Sequence, residues 1–342
     1  QVLHDFAFVA FPPGEVFEYS NFSLGIAEYV LEESAGVSFA EYMKAEVFGP
    51  LGMHSTSMGA EPGDNNSFAK RYSSDLESLQ RTFFIPSGGG GAFSSAEDLL
   101  AFAMFHLGNR RDGQPEVLSD EALDQMHHDK SASQGATGSG PGWALGIGSV
   151  TLDDGTSWYV SNGSVGGGNA IVLMYPEENT AIVCLTNRTG TIADQIANEI
   201  ADALIEDHPG KFAKAIELWR EGQPSSYETS EAMLGTWEGW LQSGEHKLPV
   251  SFQFGDSGEI AVSIDGSDPV PVRNPRLGKG QFRGRLGVAV PNSINAREIA
   301  GGLTDVKLVV GDGVMSGYMG TQFEMEHASF SIPVYVEVRK VR

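Results

Sequence analysis

The stretch FPPGEVFEYSNFSLGIAEYVLEESAGVSFAEYMKAEVFGPLGM, residues 11–53, contains the signals that decide the fold of the first half of the chain. Apolar residues recur at helical spacing over residues 21–34, and a glycine follows as a stop signal. Residues 38–41, SFAE, have the sequence of a capping box, so a second helix should begin there and end at Gly49-Pro50. The stretch therefore predicts two consecutive helices, preceded by the polar triplet Tyr19-Ser20-Asn21.

Helix and strand signals continue downstream. Ser95 precedes the apolar run LLAFAMFHL and Ser119 precedes DEALDQMHH, so two further helices are expected. Short runs rich in Val, Ile and Leu then predict one antiparallel sheet. Its expected strands are residues 143–150, 157–161, 169–175 and 180–186, with a hairpin at 176–179. An amphipathic helix at 192–206 should pack on that sheet and complete an α+β domain.

The last third of the chain has a different pattern. After a predicted linker at residues 222–226, the sequence consists of short apolar runs separated by turns such as Gly311-Asp312-Gly313. About eight strands in roughly 110 residues predict a small antiparallel barrel or sandwich. Gly235-Thr236-Trp237 resembles the Gly-x-Trp signature near the first strand of lipocalins. We therefore expect two domains, an α+β domain at 1–222 and an all-β antiparallel barrel, lipocalin-like, at 223–342.

The charge of the chain limits its partners. With 22 Lys and Arg against 45 Asp and Glu, the net charge is −23, which would repel nucleic acids and anionic membranes. The charge is uneven, because residues 1–222 carry −20 and residues 223–342 carry −3. No run of about 20 apolar residues is present, so no membrane span is expected. The asymmetry supports the domain boundary.

Cofactor and metal motifs are also weak. The glycine runs at 88–91 and 166–168 lack a following Lys and Ser or Thr, so phosphate binding is not expected. The side chains of His127-His128 point about 100° apart on a helix, and no matching ligand cluster follows. These residues are interpreted as a solvated helix end. The single cysteine, Cys184, lies in the apolar run AIVCLTN and is expected to be a buried structural thiol. The sequence therefore predicts neither a cofactor nor a metal.

Several motifs occur together and in an order that resembles a known family. They are Phe11-Pro12-Pro13-Gly14, Tyr19-Ser20-Asn21, Pro50-Leu51-Gly52-Met53, Gly89-Gly90-Gly91, Gly142-Trp143-Ala144-Leu145-Gly146, Ser164-Val165-Gly166-Gly167 and Leu185-Thr186-Asn187. Together they resemble the serine β-lactamase and penicillin-binding-protein-like hydrolases, in particular the class C β-lactamase, D-aminopeptidase and esterase branch. The resemblance covers most of residues 8–207 and implies a β-lactamase/transpeptidase-like α+β fold.

The resemblance implies roles for Tyr19 and Asn21. In this family a serine from a Ser-x-x-Lys motif attacks a carbonyl, and the phenol of a Tyr-x-Asn motif exchanges protons with the serine and the leaving group. Tyr19 would be that acid or base, and Asn21 would donate to the substrate or to the catalytic lysine. Such chemistry also needs backbone N–H donors for the developing oxyanion.

A third family motif, Lys or His followed by x-Gly, departs from the pattern. The register set by Ser164-Val165-Gly166-Gly167 places Ser161-Asn162-Gly163 at this motif. Ser161 cannot carry the expected positive charge. Its hydroxyl can still relay a hydrogen bond, so Ser161 is either catalytic or a plain strand residue. The resemblance also implies that Gly163 and Ser164 bind the substrate, with the Ser164 N–H as an oxyanion donor.

The nucleophile is the larger departure. The Ser-x-x-Lys match at Ser67-Phe68-Ala69-Lys70 follows the Tyr-x-Asn motif, whereas the family order places it before, so we interpret it as a chance match. The serine helix and the first strands of the sheet should then lie upstream of Gln1. Without them the sheet would expose an edge and an apolar face. The expected partner is therefore this N-terminal segment, covalently attached or supplied by a second chain.

The sequence thus predicts the downstream portion of a serine hydrolase that cleaves an amide or ester through an acyl-enzyme. Its substrate would be a small molecule or a peptide, such as a β-lactam, a D-amino-acid peptide or a small ester. The chain alone should be inactive. Two alternatives remain open: a catalytically silent binding protein that keeps the fold, and a barrel that binds an apolar ligand.

Overall fold

The structure is a computed structural model that describes residues 8–14, 16–59, 68–81, 83, 87–127, 142–222, 225–243, 246–291, 302–325 and 328–341. The chain divides into two compact units. One runs from Phe17 to Gly222, and the other combines the described residues before Phe17 with those after Gly222. We call them the first and the second unit. No helix within the described ranges is long and apolar enough to cross a membrane.

The first unit contains the helices. They are α1 (Asn21–Ala35), α2 (Phe39–Tyr42), a π-helix (Met43–Phe48), α3 (Gly49–Leu51), α4 (Ala96–His106), α5 (Asp120–His127), α6 (Ile192–Leu204) and α7 (His208–Gly222), with one 3-10 turn at Ser87–Gly89. The predicted caps are confirmed: Ser38 and Glu41 form the capping box, and the Ser95 hydroxyl accepts from the Asp98 N–H. Local side-chain to backbone hydrogen bonds therefore fix where these helices begin.

The second predicted helix does not end at Gly49-Pro50. The Gly49 N–H donates to the Lys44 carbonyl five residues back, and α3 then continues for one turn with Pro50 near its start. Proline is tolerated there because an N–H in a first turn has no intrahelical acceptor. The helix ends at Gly52, which adopts a left-handed φ of 73°.

Helix α7 was not predicted. Pro209 and Gly210 in its first turn resemble a break signal, yet the helix forms and buries Ala215 in the first unit's core. Lys211 lies 3.3 Å from the Glu178 carboxylate. Packing against the sheet therefore outweighs the local sequence preference.

The first unit also contains short strand pairs and one larger sheet. Its strands are β1 (Ser57–Met58), β2 (Arg71–Tyr72), β3 (Ser78–Leu79), β4 (Ala92–Phe93), β5 (Gly148–Thr151), β6 (Ser157–Val165), β7 (Gly168–Tyr175) and β8 (Thr180–Thr186). β5 to β8 form an antiparallel sheet in sequence order, as predicted. Ile171 and Leu173 of β7 face the alanines of α6, whereas Val172 and Met174 pack with residues of α4. The sheet is therefore covered by α6 and α7 on one face and by α4 on the other.

The first strand of this sheet is shorter than the predicted 143–150. Trp143 makes only an isolated bridge to Gly148, and Gly146 between them has a φ of +77°. The chain therefore turns back on itself before β5 begins, because a left-handed glycine does not continue an extended strand.

The second unit is one large antiparallel sheet. Its strands are β9 (Ser225–Ser226), β10 (Gly235–Ser243), β11 (His246–Phe254), β12 (Ile260–Ile264), β13 (Val270–Pro271), β14 (Arg273–Gly278), β15 (Gln281–Leu286), β16 (Leu303–Val310), β17 (Val314–Met325) and β18 (Ala328–Lys340). Their order is β13-β12-β11-β10-β18-β17-β16-β15-β14-β9. β9 lies within the predicted linker and pairs with β14, so that part of the linker is an edge strand.

The large sheet curls until β13, at one end, and β14, next to the other end, follow each other directly in the chain. β13 pairs with β12 and β14 pairs with β15, while only Val272 separates β13 from β14. The Val272 N–H donates to the Ile260 carbonyl, which extends the β12 side of this junction. Inside the curl, Trp237, Phe252 and Phe282 are completely or almost completely buried. A ligand inside the sheet, one of the open alternatives, would have to displace these side chains.

The described residues before Phe17 belong to the second unit and pack on its sheet. Phe8 contacts the Tyr335 ring and Phe11 contacts the Tyr318 ring, with centroids 5.9 Å and 6.1 Å apart. A Cβ at Gly317 would collide with the Lys307 backbone carbonyl of β16 and would lie 3.0 Å from the Phe11 ring. Glycine at this position therefore allows the phenylalanine to approach the sheet closely.

Candidate functional site

Tyr19 and Asn21 lie at the start of α1, as the sequence predicted. The Tyr19 hydroxyl donates to the Asn21 side-chain carbonyl at 3.0 Å, and Tyr19 is 53% exposed. Ser20, between them, caps the helix by accepting from the Ser23 N–H. The cap fixes the backbone that carries these two predicted site residues.

The Tyr19 ring packs against the Trp143 indole, which in turn stacks on Phe17. The edge of Tyr19 meets the Trp143 indole with centroids 5.7 Å apart, and Phe17 stacks on the same indole at 5.9 Å. Aromatic pairs at such distances favour one relative orientation. Trp143 belongs to the motif at Gly142-Trp143-Ala144-Leu145-Gly146, but no sequence signal assigned it to the site.

The glycine run at residues 88–91 supports α1 rather than a phosphate. The Glu28 carboxylate accepts from the Gly88 N–H and from the Ser87 hydroxyl. A Cβ at Gly89 would lie 2.9 Å from the Asn21 carbonyl oxygen. Only glycine therefore lets this turn approach the first residue of the helix that carries the site.

The predicted substrate-binding residues occupy the second half of β6. Ser161, Gly163 and Ser164 are exposed. They pair with β7, whereas β5 pairs only with residues 157–160. In the described part of the chain, the other edge of residues 161–165 has no neighbouring strand. Backbone groups that point to that edge are therefore available to a substrate.

The structure brings some of the predicted site residues together and not others. It joins Tyr19 to Asn21, and it places Ser161 and Ser164 on one strand. Within the described ranges no side-chain hydrogen bond joins the two pairs. Ser67, the serine of the chance Ser-x-x-Lys match, lies outside the described residues.

The predicted solvated helix end at His127 is wrong. His127 is 8% exposed, and its Nε2 lies 2.8 Å from Nδ1 of His106, which is 5% exposed. The His127 ring also stacks on Tyr159 at 4.0 Å. Burial, with a smaller contribution from the charge of His127, lowers the pKa of His106 to about 4. Both histidines are therefore neutral near pH 7.

The two remaining candidates are Cys184 and a cluster of metal-ligating side chains, and the described residues support neither as a reactive site. Cys184 lies on β8 beside the core, and burial raises the pKa of its thiol, which is the opposite of nucleophile activation. Among the described residues, no group of three or more His, Cys, Asp or Glu side chains could hold a metal ion.

Comparisons with known proteins agree with this architecture. The Beta-lactamase family model matches residues 7–207. Esterase EstB from Burkholderia gladioli is 30% identical over 170 residues, which cover 43% of this chain and 42% of the esterase. The chain thus spans less than half the length of that curated relative.

Solved structures show the same fold. The crystal structure of SurE has a TM-score of 0.54 at 19% identity and covers 90% of this chain and 68% of SurE. SurE with D-Leu has a TM-score of 0.50 at 17% identity, with 98% and 70% covered. The predicted α+β class with a β-lactamase/transpeptidase-like fold is confirmed, and in place of the predicted all-β antiparallel barrel the chain has a large curled antiparallel sheet. Because the family model matches more than half of its residues, this chain belongs to the Beta-lactamase family of hydrolases.

Proposed function

We propose that the intact protein is a serine hydrolase that cleaves an amide or an ester through an acyl-enzyme. One observation carries this proposal: the exposed Tyr19 phenol lies 3.0 Å from Asn21 at the start of α1. This arrangement occurs in a chain of the Beta-lactamase family. A phenol held at the open end of a helix can exchange a proton with groups that approach from solvent.

The proposed reaction has two halves. A serine hydroxyl attacks the substrate carbonyl, its proton passes to the basic form of Tyr19 or a neighbouring lysine, and the Ser164 N–H stabilises the oxyanion. The bond between the carbonyl carbon and the leaving group then breaks, and the leaving group takes the proton from the group that accepted it. Water attacks the acyl-serine ester and gives a proton to the same base, the bond between the carbonyl carbon and the serine oxygen breaks, and the serine recovers that proton. Asn21 and Gly163 contact the substrate along its two sides.

Ser161 takes the position of the charged residue of the third motif. Its neutral hydroxyl can pass a hydrogen bond between the substrate and Tyr19 but cannot attract a carboxylate by charge. We therefore expect substrates that lack a carboxylate at this position. The negative charge of residues 1–222 also favours neutral or cationic substrates.

The nucleophile is proposed to come from a Ser-x-x-Lys segment that precedes Gln1 in the natural polypeptide or belongs to a second chain. Exposed apolar side chains of the first unit support this, including Ile196 and Ile200 of α6 and Leu185 of β8. β8 is also an edge strand among the described residues. An additional segment would cover both features, and the chain alone would be inactive.

Small esters are the first substrates to test, because the curated relative is an esterase. β-Lactams and D-amino-acid peptides are the other candidates. The same acyl-enzyme chemistry serves all three, since fold alone does not select the substrate.

The test is labelling by a fluorophosphonate followed by intact-mass analysis. We expect no adduct on residues 1–342 alone and one adduct, on an upstream serine, when the natural upstream sequence is present. Tyr19→Phe should reduce the labelling rate at least tenfold. Tyr29→Phe, a change in another exposed tyrosine of α1, should leave it unchanged. An adduct on Ser67, or equal rates in Tyr19→Phe and the unaltered protein, would overturn the proposal.

The second candidate function is that of a silent binding protein. It is favoured by Ser161, which replaces the charged residue of an active third motif. This alternative predicts that the natural upstream sequence lacks Ser-x-x-Lys and that the complete protein gives no adduct. In that case penicillin or a D-amino-acid peptide should still bind, as measured by calorimetry.

A further inference from the structure

We propose that Asn169 is a positioning residue that orients the Gly163–Ser164 peptide, so that the Ser164 N–H faces the reacting carbonyl oxygen. This inference rests on the proposed function, because it assigns a second residue to the same oxyanion donor. The Asn169 side chain is buried and takes no direct part in the proposed reaction.

The Asn169 side chain is fixed by three hydrogen bonds. It is 5% exposed, and its Oδ1 accepts from the Ala193 N–H at 2.9 Å. Its Nδ2 donates to the Asp194 carboxylate at 2.9 Å and to the Gly163 carbonyl at 3.4 Å. A backbone donor on one side and a carboxylate on the other define which end of the amide is oxygen. The orientation of the amide is therefore determined by its surroundings.

The first two bonds anchor Asn169 to α6. Thr191, the residue before the helix, makes no side-chain capping bond, so Asn169 supplies an acceptor for the helix N-terminus from another strand. Ala193, Ala197 and Ala201 of α6 are completely buried against the sheet. The amide is thus held by a packed helix rather than by a loop, which suits a residue that must fix an angle.

The third bond supports the direction of the peptide after Gly163, which also pairs with Ala170 of β7 in the sheet. In a trans peptide the carbonyl of one residue and the N–H of the next point in opposite directions. Because Asn169 donates to the Gly163 carbonyl, the Ser164 N–H points away from Asn169. A Cβ built at Gly163 meets no atom within 4 Å, so the strand has open space at this position. Substrate can approach the N–H from there.

One double variant, in which two side chains are exchanged, distinguishes this positioning role from a purely structural role. In the double variant Asn169→Asp with Asp194→Asn, the amide and the carboxylate change places. The carboxylate introduced at position 169 can still accept from the Ala193 N–H and from the amide introduced at position 194. The bridge to α6 is therefore kept, but the donor to the Gly163 carbonyl is lost. If Asn169 only anchors the helix, the double variant should behave like the unaltered protein. If it orients the peptide, the oxyanion contact should weaken.

The first experiment measures ester hydrolysis by the complete protein, with its natural upstream sequence. We expect the double variant to lower kcat about tenfold with little change in KM, because an oxyanion contact acts in the transition state. The melting temperature should stay close to that of the unaltered protein. Asn198→Ala is the matched control, since Asn198 of α6 donates to the Asp194 backbone carbonyl and has no bond to β6. An unchanged kcat in the double variant would overturn the proposal.

The second experiment does not need activity. The amide resonance of Ser164, observed by ¹H–¹⁵N NMR on the complete protein with its natural upstream sequence, should shift in the double variant and stay in place in Asn198→Ala. If no ester is hydrolysed and Tyr19→Phe changes nothing, the proposed function fails, and the Ser164 resonance still decides whether Asn169 orients the peptide. An unmoved resonance would refute that orientation even in an active enzyme.

Discussion

His106 and His127 share a hydrogen bond in the interior of the first unit, where aromatic rings surround them. Phe102 and Phe105 contact His106, and Tyr159 stacks on His127. Asp124, on the same helix as His127, raises the pKa of His127 but less than burial lowers it. Among the described residues, the two histidines are bonded to each other and not to a carboxylate that would neutralise an added proton. The pair should therefore make the first unit sensitive to acid.

The predicted acid sensitivity has a definite sign. The pKa of His106 is about 4 in the folded chain, below its usual value of 6.5, so the unfolded chain takes up the proton at a higher pH. The stabilising contribution is complete above pH 6.5 and disappears as the pH falls to 4, a change of up to about 3 kcal/mol. Urea unfolding at about pH 7, 5.5 and 4 measures it. His106→Leu should flatten this dependence, whereas His54→Leu, at an exposed position, should not; equal slopes would contradict the prediction.

Single residues also show what the sequence could predict of the site. The contact between Tyr19 and Asn21 was predictable, since two positions in one short motif must lie close together. The ring contact between Tyr19 and Trp143 joins residues far apart in the chain and has no local signal. The pairing of His106 with His127 is of the same kind. Long-range contacts are decided by packing, and periodicity describes only one element at a time.

Among the elements, helix starts were predicted best. The Ser38 and Ser95 caps act within four residues, so their sequence signature contains the whole interaction. Helix ends and strand limits were predicted less well, as at Pro50 and in the turn before β5. There the outcome depends on a π turn and on a left-handed glycine, whose effects the pattern of apolar residues does not reveal.

The turn at Ser87–Gly89 provides a test at this scale. In Gly89→Ala the new Cβ would lie 2.9 Å from the Asn21 carbonyl oxygen and 3.1 Å from the Asn21 Cβ, so the start of α1 or the turn must move. We expect a loss of about 1–3 kcal/mol in the free energy of unfolding. Gly311→Ala meets its nearest atom at 3.8 Å and is the control. Equal unfolding midpoints for the two variants, measured in urea, would show that the turn does not support α1 by close packing.

At the scale of the whole molecule, charge and secondary structure divide the chain in the same way. The first unit, residues 17–222, carries −18, and the rest of the chain carries −5. The helices of the described chain all lie in the first unit, whereas the second is a β-sheet around an apolar core. Like charges that are concentrated in one unit repel one another and oppose its compact state. The two units should therefore respond differently to salt.

This difference predicts the effect of ionic strength on unfolding. The screening length falls from about 30 Å at 0.01 M salt to about 8 Å at 0.15 M, so repulsion across the first unit weakens strongly over this range. In urea, the loss of helical circular dichroism follows the first unit, and its midpoint should rise with NaCl. The fluorescence of Trp237, buried in the second unit, should report a midpoint that changes much less. Measurements on a variant in which Trp143, Trp158 and Trp219 are all replaced by Phe leave only Trp237 and Trp240 of the second unit in the fluorescence trace. Two outcomes would contradict this prediction. If both midpoints rise equally, salt acts on apolar burial in general. If the helical midpoint falls, screening of attractive ion pairs outweighs the relief of repulsion.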